Sequence, residues 1–138
     1  MLIVVIDGQG GGLGAALVAR LKTRLGNKAQ LRAVGINALA TSAMLKAGAD
    51  KAATGENAVC YNAAQADLIL GPIGLLSANA LMGEVSPAIA AALSAAKARR
   101  ILVPVSSGCG ILVAGATGRK LEELLDNAVE LAAKEAGV

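Results

Sequence analysis

The sequence predicts a three-layer α/β fold in which helices cover both faces of a doubly wound, mainly parallel sheet of five or six strands. Three observations lead to this prediction. Short apolar runs alternate with helical patterns along the 138-residue chain. The first run, residues 2–6, is apolar at every position, which is typical of a parallel strand buried on both faces. Glycines follow this run directly, where such a fold needs a tight turn into a helix.

The first half of the chain supplies three strands in this prediction. Leucines at every fourth position from Leu13 to Leu25 predict the first helix, and Gly26 with Asn27 ends it. The remaining elements predicted here are a strand at 31–36, a helix at 41–47 stopped by Gly48, a strand at 50–53, and a loop with one or two helical turns over 55–65.

The second half continues the alternation. Ser86 and Pro87 form a helix start, with serine as the N-cap and proline in the first turn, and we expect that helix to reach about Ala98. The other elements predicted are a strand at 67–70 broken by Gly71-Pro72, a helix at 75–82, a strand at 100–105, a turn at 106–110, a short strand at 111–114 that forms a hairpin with the preceding one, and a terminal helix from Leu121 to about Ala132.

Right-handed crossovers place the helices on both faces of the sheet, and the expected strand order is 3-2-1-4-5, with a sixth strand as an option at the edge. This is a Rossmann-like arrangement, and we expect residues 1–138 to form one such domain. Ligands of these sheets bind at the carboxyl ends of the strands, where the strand order reverses. The prediction therefore places the loops at 8–14 and 71–74 side by side.

Composition excludes several classes of function. No apolar run is long enough for a membrane span, and the chain starts with a strand, so neither a membrane partner nor a signal peptide is expected. The net charge is only +3 and Tyr61 is the one aromatic residue, which argues against nucleic-acid binding. Two cysteines without histidine indicate a reduced, cytoplasmic protein without a metal site. The alanine-rich apolar helices favour a homo-oligomer, most simply a homodimer.

The first glycine-rich loop is the main candidate for a binding site. It follows a clear strand, precedes a clear helix, and has the spacing Gly8-x-x-x-Gly12-x-Gly14. Glycine lets the chain turn sharply and lets a phosphate approach bare backbone, and a helix N-terminus attracts an anion. The alternative is a tight turn that holds no ligand. Asp7 just before the loop either caps a loop amide, holds a magnesium ion beside a phosphate, or acts as an acid or base. The cofactor-binding residues predicted in this loop are Gly8, Gln9, Gly10, Gly11, Gly12, Leu13 and Gly14.

Two further segments complete the predicted site. Asn37 follows the second strand, where a classical NAD site has an acidic residue for the ribose. It either contacts the ribose, tolerates the 2′-phosphate of NADP, or caps the next helix. Glycines in the second loop either let a ribose lie against the backbone or mark a strand exit. The residues of that loop are Gly71, Pro72, Ile73 and Gly74. NAD and NADP are the cofactors expected, and another adenine nucleotide would fit as well.

The glycine loop resembles that of the short-chain dehydrogenases over about the first 40 residues. That family uses a Tyr-x-x-x-Lys pair, whereas here Tyr61 is followed by Gln65 in the lysine position. The resemblance therefore implies binding rather than that catalysis. Over nearly its whole length the chain is similar to a family of small bacterial proteins of unknown function. The segments that carry this similarity are 5–12, 37–49, 53–57 and 71–74. It implies a soluble bacterial protein of Rossmann type and no particular activity.

Three functions are compatible with these patterns. The first is a small nucleotide-binding protein, with NAD or NADP as its ligand, that works as a sensor, carrier or accessory subunit. The second is a small NAD(P)-dependent reductase whose site is shared across a dimer. Its polar candidates would be Asp7, Asn79, Ser107 and Cys109. The third is a structural or interaction protein without catalysis.

Overall fold

A computed structural model of the chain describes residues 1–105 and 109–138. Five parallel strands form one sheet in the order β3-β2-β1-β4-β5, which confirms the predicted α/β class and strand order. The strands are β1 (Leu2–Asp7), β2 (Gln30–Gly35), β3 (Lys51–Thr54), β4 (Leu68–Pro72) and β5 (Arg99–Val103). The helices are α1 (Gly12–Leu25), α2 (Ala38–Lys46), α3 (Glu56–Gln65), α4 (Pro87–Ala95) and α5 (Leu121–Glu135), with one 3₁₀ helix at Ile73–Leu76.

Two apolar cores lie on opposite faces of this sheet. Ile3 and Val5 of β1 pack into the core with α1, α2 and α5, whereas Val4 and Ile6 pack into the core with α3 and α4. All four side chains are fully buried. Burial of one such aliphatic side chain contributes about 1.5–3 kcal/mol, so the continuous apolar run of β1 stabilises both layers at once.

The registers of β1 place the loops at the carboxyl edge of the sheet. β1 pairs with β2 as far as Asp7 opposite Gly35, but with β4 only as far as Val5 opposite Leu70. The strand order reverses here, and a crevice opens between the ends of β1 and β4. The loops that follow Asp7 and Pro72 enter this crevice.

The predicted helix at 75–82 is wrong. A single 3₁₀ turn over Ile73–Leu76 is followed by irregular turns. The buried apolar residues of this segment, Leu75, Ala80 and Val85, are spaced by five, which does not match the helical repeat. Three residues other than glycine adopt left-handed backbone angles, which a right-handed helix excludes. They are Asn79 (φ 70°), Leu81 (φ 55°) and Met82 (φ 56°).

The predicted strand at 111–114 is also wrong. Within 109–138 no residue joins the sheet, and Leu112 in the middle of this run is 83% exposed. Gly110 and Gly115 on either side have φ angles of 70° and 88°, so the chain turns at both ends of the apolar run. Of the predicted turn at 106–110, residues 106–108 lie outside the described part of the chain.

Two predictions for the middle of the chain, one after Gly55 and one at Gly71-Pro72, also need correction. The segment after Gly55 forms a complete helix, α3, rather than a loop with one or two turns. Strand β4 continues through Gly71 and Pro72 instead of breaking there. β1 pairs with β4 only as far as Leu70, so among the described residues Pro72 has a partner strand on the β5 side and none on the β1 side. At this residue β4 is therefore an edge, and proline is tolerated at an edge because its missing N–H is not needed for pairing.

Among the described residues, no helix combines the length and the apolar character needed to cross a bilayer.

Candidate functional site

A cavity of about 200 Å³ lies in the crevice between the ends of β1 and β4. It brings together the two loops that the strand order predicts to be neighbours. Of the residues predicted to bind a cofactor, Gly14, Asn37, Gly71 and Ile73 do not line it. The lining residues are Asp7, Gly8, Gln9, Gly10, Gly11, Gly12, Leu13, Pro72, Gly74, Leu81 and Val105.

The Asp7 carboxylate connects the end of β1 to the start of α1. One oxygen, Oδ1, accepts the amide of Gly8 at 2.8 Å, and Oδ2 accepts the amide of Gly14 at 2.7 Å. Gly11 occupies the N-cap position of α1 and has no side chain to do this, so Asp7 acts as the cap from outside the helix. Of the alternatives for Asp7, the cap is confirmed.

Burial has the largest effect on the pKa of the Asp7 carboxyl group. Asp7 is only 6% exposed. Burial raises the pKa of Asp7 above its ordinary value, the amide hydrogen bonds from Gly14 and Gly8 lower it, and the nearby charge of Glu84 raises it further. The two amides therefore stabilise a negative charge that the apolar surroundings disfavour.

The start of α1 presents several amide groups to the cavity. Gly11 donates its amide to the carbonyl oxygen of Gly8 at 2.9 Å, and the amide of Gly14 is capped by Asp7. Within the described residues, no protein acceptor lies at the amides of Gly10, Gly12 or Leu13, all of which line the cavity. Free amides at the positive end of a helix are the usual protein contact for a phosphate group.

Some glycines of the two loops are required by the fold itself. Gly11 has a left-handed φ of 73°, and a Cβ there would lie 2.7 Å from the Cα of Ala40. A Cβ on Gly14 would lie 2.6 Å from the sulfur of Met44. A Cβ on Gly71 would lie 2.5 Å from the carbonyl oxygen of Ile6. These three glycines allow close packing and need no ligand to explain them.

Gly10 and Gly12 are different, because nothing in the described structure requires glycine at either position. A Cβ at either residue meets no heavy atom of the described residues within 4 Å, and neither residue has a left-handed φ. Both residues are exposed and line the cavity. A side chain here would extend into the open cavity rather than into the protein.

Asn37 has a structural role at the start of α2. Its Oδ1 accepts the amide of Ala40 at 2.9 Å, which is an N-cap hydrogen bond. Its Nδ2 donates to the carbonyl oxygen of Gln9 at 3.0 Å and to Oε2 of Glu84 at 2.6 Å. The capping alternative is therefore confirmed, and both polar ends of the side chain already have partners.

Glu84 also lies at this loop, although no sequence pattern predicts it. Its Oε1 accepts the amide of Gln9 at 2.6 Å, while Oε2 accepts Asn37. A Cβ on Gly8 would lie 3.0 Å from Oε1, so the carboxylate sits against the first residue of the glycine loop. Glu84 lies far along the chain from this loop, within a segment whose turns do not follow from local patterns, so no motif identifies it.

Of the described residues considered for catalysis, Asp7 lines this cavity, whereas Asn79 and Cys109 do not. Asn79 is exposed on an irregular turn, and Cys109 is half-buried near Gly74. Ser107 lies outside the described residues. Tyr61, which is 59% exposed, lines a separate hollow between α3 and strands β2 and β3. Among the described lining residues of the glycine-loop cavity, Asp7 is the only one with an ionisable side chain, and both its oxygens accept amides.

A second cavity of about 360 Å³ adjoins the first, because Val105 lines both. Its other walls come from the segment at 112–119 and from the start of α5, and they include the exposed Arg119. Together the two cavities reach the size range of small-molecule sites, which is about 300–1,000 Å³.

Comparisons with known proteins identify a family but no activity. A family model described as a domain of unknown function (DUF3842) matches residues 2–137. No curated protein matches the chain. One similar solved structure is a dodecameric FMN-dependent UbiX-like decarboxylase from Escherichia coli O157:H7, at 15% identity and a TM-score of 0.45, covering 99% of this chain and 94% of that chain. A likeness this weak carries no argument about function.

Proposed function

This chain belongs to the DUF3842 family, and we propose that it is a small nucleotide-binding protein that holds a phosphate group at the start of α1. In this proposal the protein works as a sensor, carrier or accessory subunit. The contacts would come from the amides of Gly10, Gly12 and Leu13. Gln9, Pro72 and Gly74 would line the path of the rest of the ligand.

The main support is that no described residue requires glycine at two positions of the cavity wall. Gly10 and Gly12 have room for a Cβ and ordinary backbone angles, in contrast to Gly11 and Gly14 in the same loop. Glycine at such positions allows a ligand to approach the backbone closely. A tight turn without a ligand would explain Gly11 and Gly14 but not the other two.

The charges around the cavity favour a phosphodiester or pyrophosphate over a terminal phosphate. Among the described lining residues of the glycine-loop cavity there is no lysine or arginine, while Asp7 lies at the base of the loop; Arg119 lines only the adjoining cavity. A helix N-terminus alone suits a group with little charge per phosphate. We therefore propose NAD or NADP as the ligand class, with another adenine nucleotide as a weaker candidate, and the adjoining cavity at Val105 as space for the remainder of the ligand.

The reductase alternative lacks support in the described residues. A reductase needs a proton donor or acceptor beside the reacting atoms. Among the described residues of the cavity wall, Asp7 has the only ionisable side chain, and its two oxygens already accept amides. Binding without catalysis is therefore the better proposal.

Association of the chain with itself remains part of the proposal. Leu39, Met82 and Leu112 are 67%, 96% and 83% exposed, and single-chain packing covers none of them. We propose a homodimer in the cytoplasm, and light scattering of the purified protein tests the dimer. A monomer at every concentration would contradict it.

Ligand titration tests the proposed function. The purified chain would be screened by thermal shift and calorimetry against NAD⁺, NADP⁺, ADP, ATP and coenzyme A. A ligand at about 100 times its Kd should stabilise the fold by about 2.7 kcal/mol. The variant Gly10→Val should lose this stabilisation, whereas Ala19→Val, on the exposed surface of α1 outside the cavity, should keep it. Absence of a shift with every nucleotide would refute the proposal.

A further inference from the structure

The hollow between α3 and strands β2 and β3 has a volume of about 270 Å³ and shares no lining residue with the two cavities near the glycine loop. We propose that this hollow, here called the Arg32 hollow, is a second binding site that takes a small aromatic carboxylate. Its size is just below the range of about 300–1,000 Å³ that holds drug-sized ligands, so it suits a smaller molecule. The lining residues that carry the inference are Arg32, Lys51, Ala53, Tyr61 and Asn62.

Two cationic side chains come from neighbouring strands in the wall of the Arg32 hollow. Arg32 of β2 lies opposite Lys51 of β3 in the parallel pair. Val34, two residues further along β2, packs into the core with α3 and α4, so Arg32 points to that same face of the sheet. Like charges on adjacent strands repel each other. An anion bound between the two would remove this repulsion.

Arg32 is a partly buried charge without a carboxylate partner among the described residues. The half-buried cations in this part of the chain are Arg20, Lys22 and Arg32. Arg20 forms salt bridges with α5, and Lys22 forms one with Asp50, whereas no described carboxylate pairs with Arg32. Removal of a charge from water is costly unless the charge is paired. A bound carboxylate would supply the missing partner.

Neighbouring side chains on α3 hold the Arg32 guanidinium in one orientation. Its Nη1 donates to Oδ1 of Asn62 at 3.1 Å and to Oε1 of Gln65 at 2.9 Å. Asn62 is only 6% exposed, and its Nδ2 donates to the carbonyl oxygen of Ala58 at 2.8 Å, which fixes its own position. Both acceptors of Arg32 are neutral amides, so they orient the guanidinium without compensating its charge.

The other donors of Arg32 lie together on one edge of the guanidinium. Nε is buried without an acceptor among the described residues, and none of their hydrogen bonds uses Nη2. The Nε–Nη2 edge carries two parallel N–H groups, which match the two oxygens of a carboxylate. Because the protein covers Nε, we expect a small turn of the guanidinium when a carboxylate binds.

Tyr61 gives the Arg32 hollow an aromatic wall. It is the only aromatic residue of the chain, and it is 59% exposed. It lies one helical turn before Gln65, on the side of α3 that reaches Arg32. Ala53 of β3 also lines the hollow, and its small side chain leaves room beside the tyrosine ring. A flat ring here would bury apolar surface, which favours an aromatic carboxylate over inorganic phosphate.

NMR titration and calorimetry of the full chain test the assignment. Benzoate is the probe, benzamide is its neutral counterpart, acetate is a carboxylate without a ring, and inorganic phosphate is the alternative anion. Benzoate should shift the NMR signals of the Arg32 Nε–H group and of the Ala53 and Tyr61 amides, and it should leave those of the glycine loop unchanged. Its affinity should exceed those of benzamide and acetate by about tenfold or more, as for loss of a charged hydrogen bond or of an aromatic contact.

Three variants separate a ligand role from a structural one. Lys51→Gln should weaken benzoate binding by about two- to fivefold and Tyr61→Leu by about three- to tenfold, and neither should lower Tm, because both side chains are exposed. Arg32→Lys keeps the charge but loses the two-pronged edge, so it should weaken binding by about tenfold. The control is Lys134→Gln, an exposed change on α5, which should keep the wild-type affinity.

Several results would overturn the assignment. These are equal binding of benzoate and benzamide, tighter binding of phosphate than of benzoate, signal changes confined to other parts of the chain, or no binding at about 10 mM benzoate. Unchanged affinity in both Lys51→Gln and Tyr61→Leu would leave Arg32 as a purely structural link between β2 and α3. These two variants decide the question if Arg32→Lys does not fold. Nucleotide titration of the same samples is a separate measurement, so either proposal can fail without the other.

Discussion

Replacement of Gly12 by alanine separates a ligand role of this glycine from a structural one, because the two roles predict opposite changes. Gly12 is the first residue of α1, it is exposed, and it lacks a left-handed φ. A Cβ at this position meets no heavy atom of the described residues within 4 Å. Alanine therefore adds no strain, and it restricts the unfolded chain.

The expected gain in folding free energy is about 0.4–1 kcal/mol, as for other glycines replaced at compatible positions. For a chain of this length, that corresponds to a rise in Tm of about 1–5 °C. The same methyl group stands on the wall of the cavity, where a phosphate oxygen would need to come within about 2.9 Å of the amide. Loss of one charge-assisted hydrogen bond costs about 1.5–3 kcal/mol, so affinity should fall by about tenfold or more.

Two measurements on one variant test this reasoning. Thermal unfolding without ligand gives the stability, and calorimetry with the best nucleotide gives the affinity. Higher stability with weaker binding supports a ligand role. Unchanged affinity would refute close approach of a phosphate at Gly12, and lower stability would show that the fold itself needs this glycine. Ala19→Val on the same helix should change the affinity by less than about twofold, since it lies outside the cavity.

Two further substitutions test the framework beneath the loop. Gly14→Ala places a Cβ 2.6 Å from the Met44 sulfur and 2.7 Å from the Asp7 Cβ, so urea unfolding should show a loss of about 1–3 kcal/mol, and a loss below about 0.5 kcal/mol would contradict the close packing. Asp7→Asn removes a carboxyl whose pKa burial raises above 3.8. Such a group stabilises the fold fully below pH 3.8 and progressively less as the pH rises through its folded pKa, so the stability of wild type minus that of Asp7→Asn should decrease from pH 3 towards pH 7. A difference that stays constant across this range, measured from Tm at each pH, would contradict the raised pKa.

The strongest sequence patterns identify the part of the fold that local chemistry determines. The apolar run of β1 and the leucine repeat of α1 each lie within one element, and the structure contains both the predicted strand and the predicted helix. The run at 111–114 has the same local character but lacks a strand beside it, and periodicity alone cannot show whether a partner exists. Strand pairing is a property of the whole sheet.

The candidate site likewise has a part that the sequence predicts and a part that it does not. The glycine loop and its neighbour at Pro72 follow from strand order, so their meeting in one cavity is predictable. The meeting of Glu84 with Gln9 and Asn37 is not, because left-handed residues with no glycine signature bring Glu84 across the loop. Sequence patterns likewise cannot separate Gly11, which the fold requires, from Gly12, which it does not.

The two hydrogen bonds from the amides of Gly8 and Gly14 to the Asp7 carboxylate, here called the Asp7 clamp, affect how a ligand would bind. Because one carboxylate fastens both Gly8 and Gly14, the loop between them is arranged when β1 and α1 form. The entropy of ordering this loop is then lost during folding, and little remains to be lost on association. Recognition at this loop would therefore be of a preorganised kind, with the amides already oriented before a nucleotide arrives. Release of the clamp would turn the same loop into one that orders only upon contact, with slower and weaker capture.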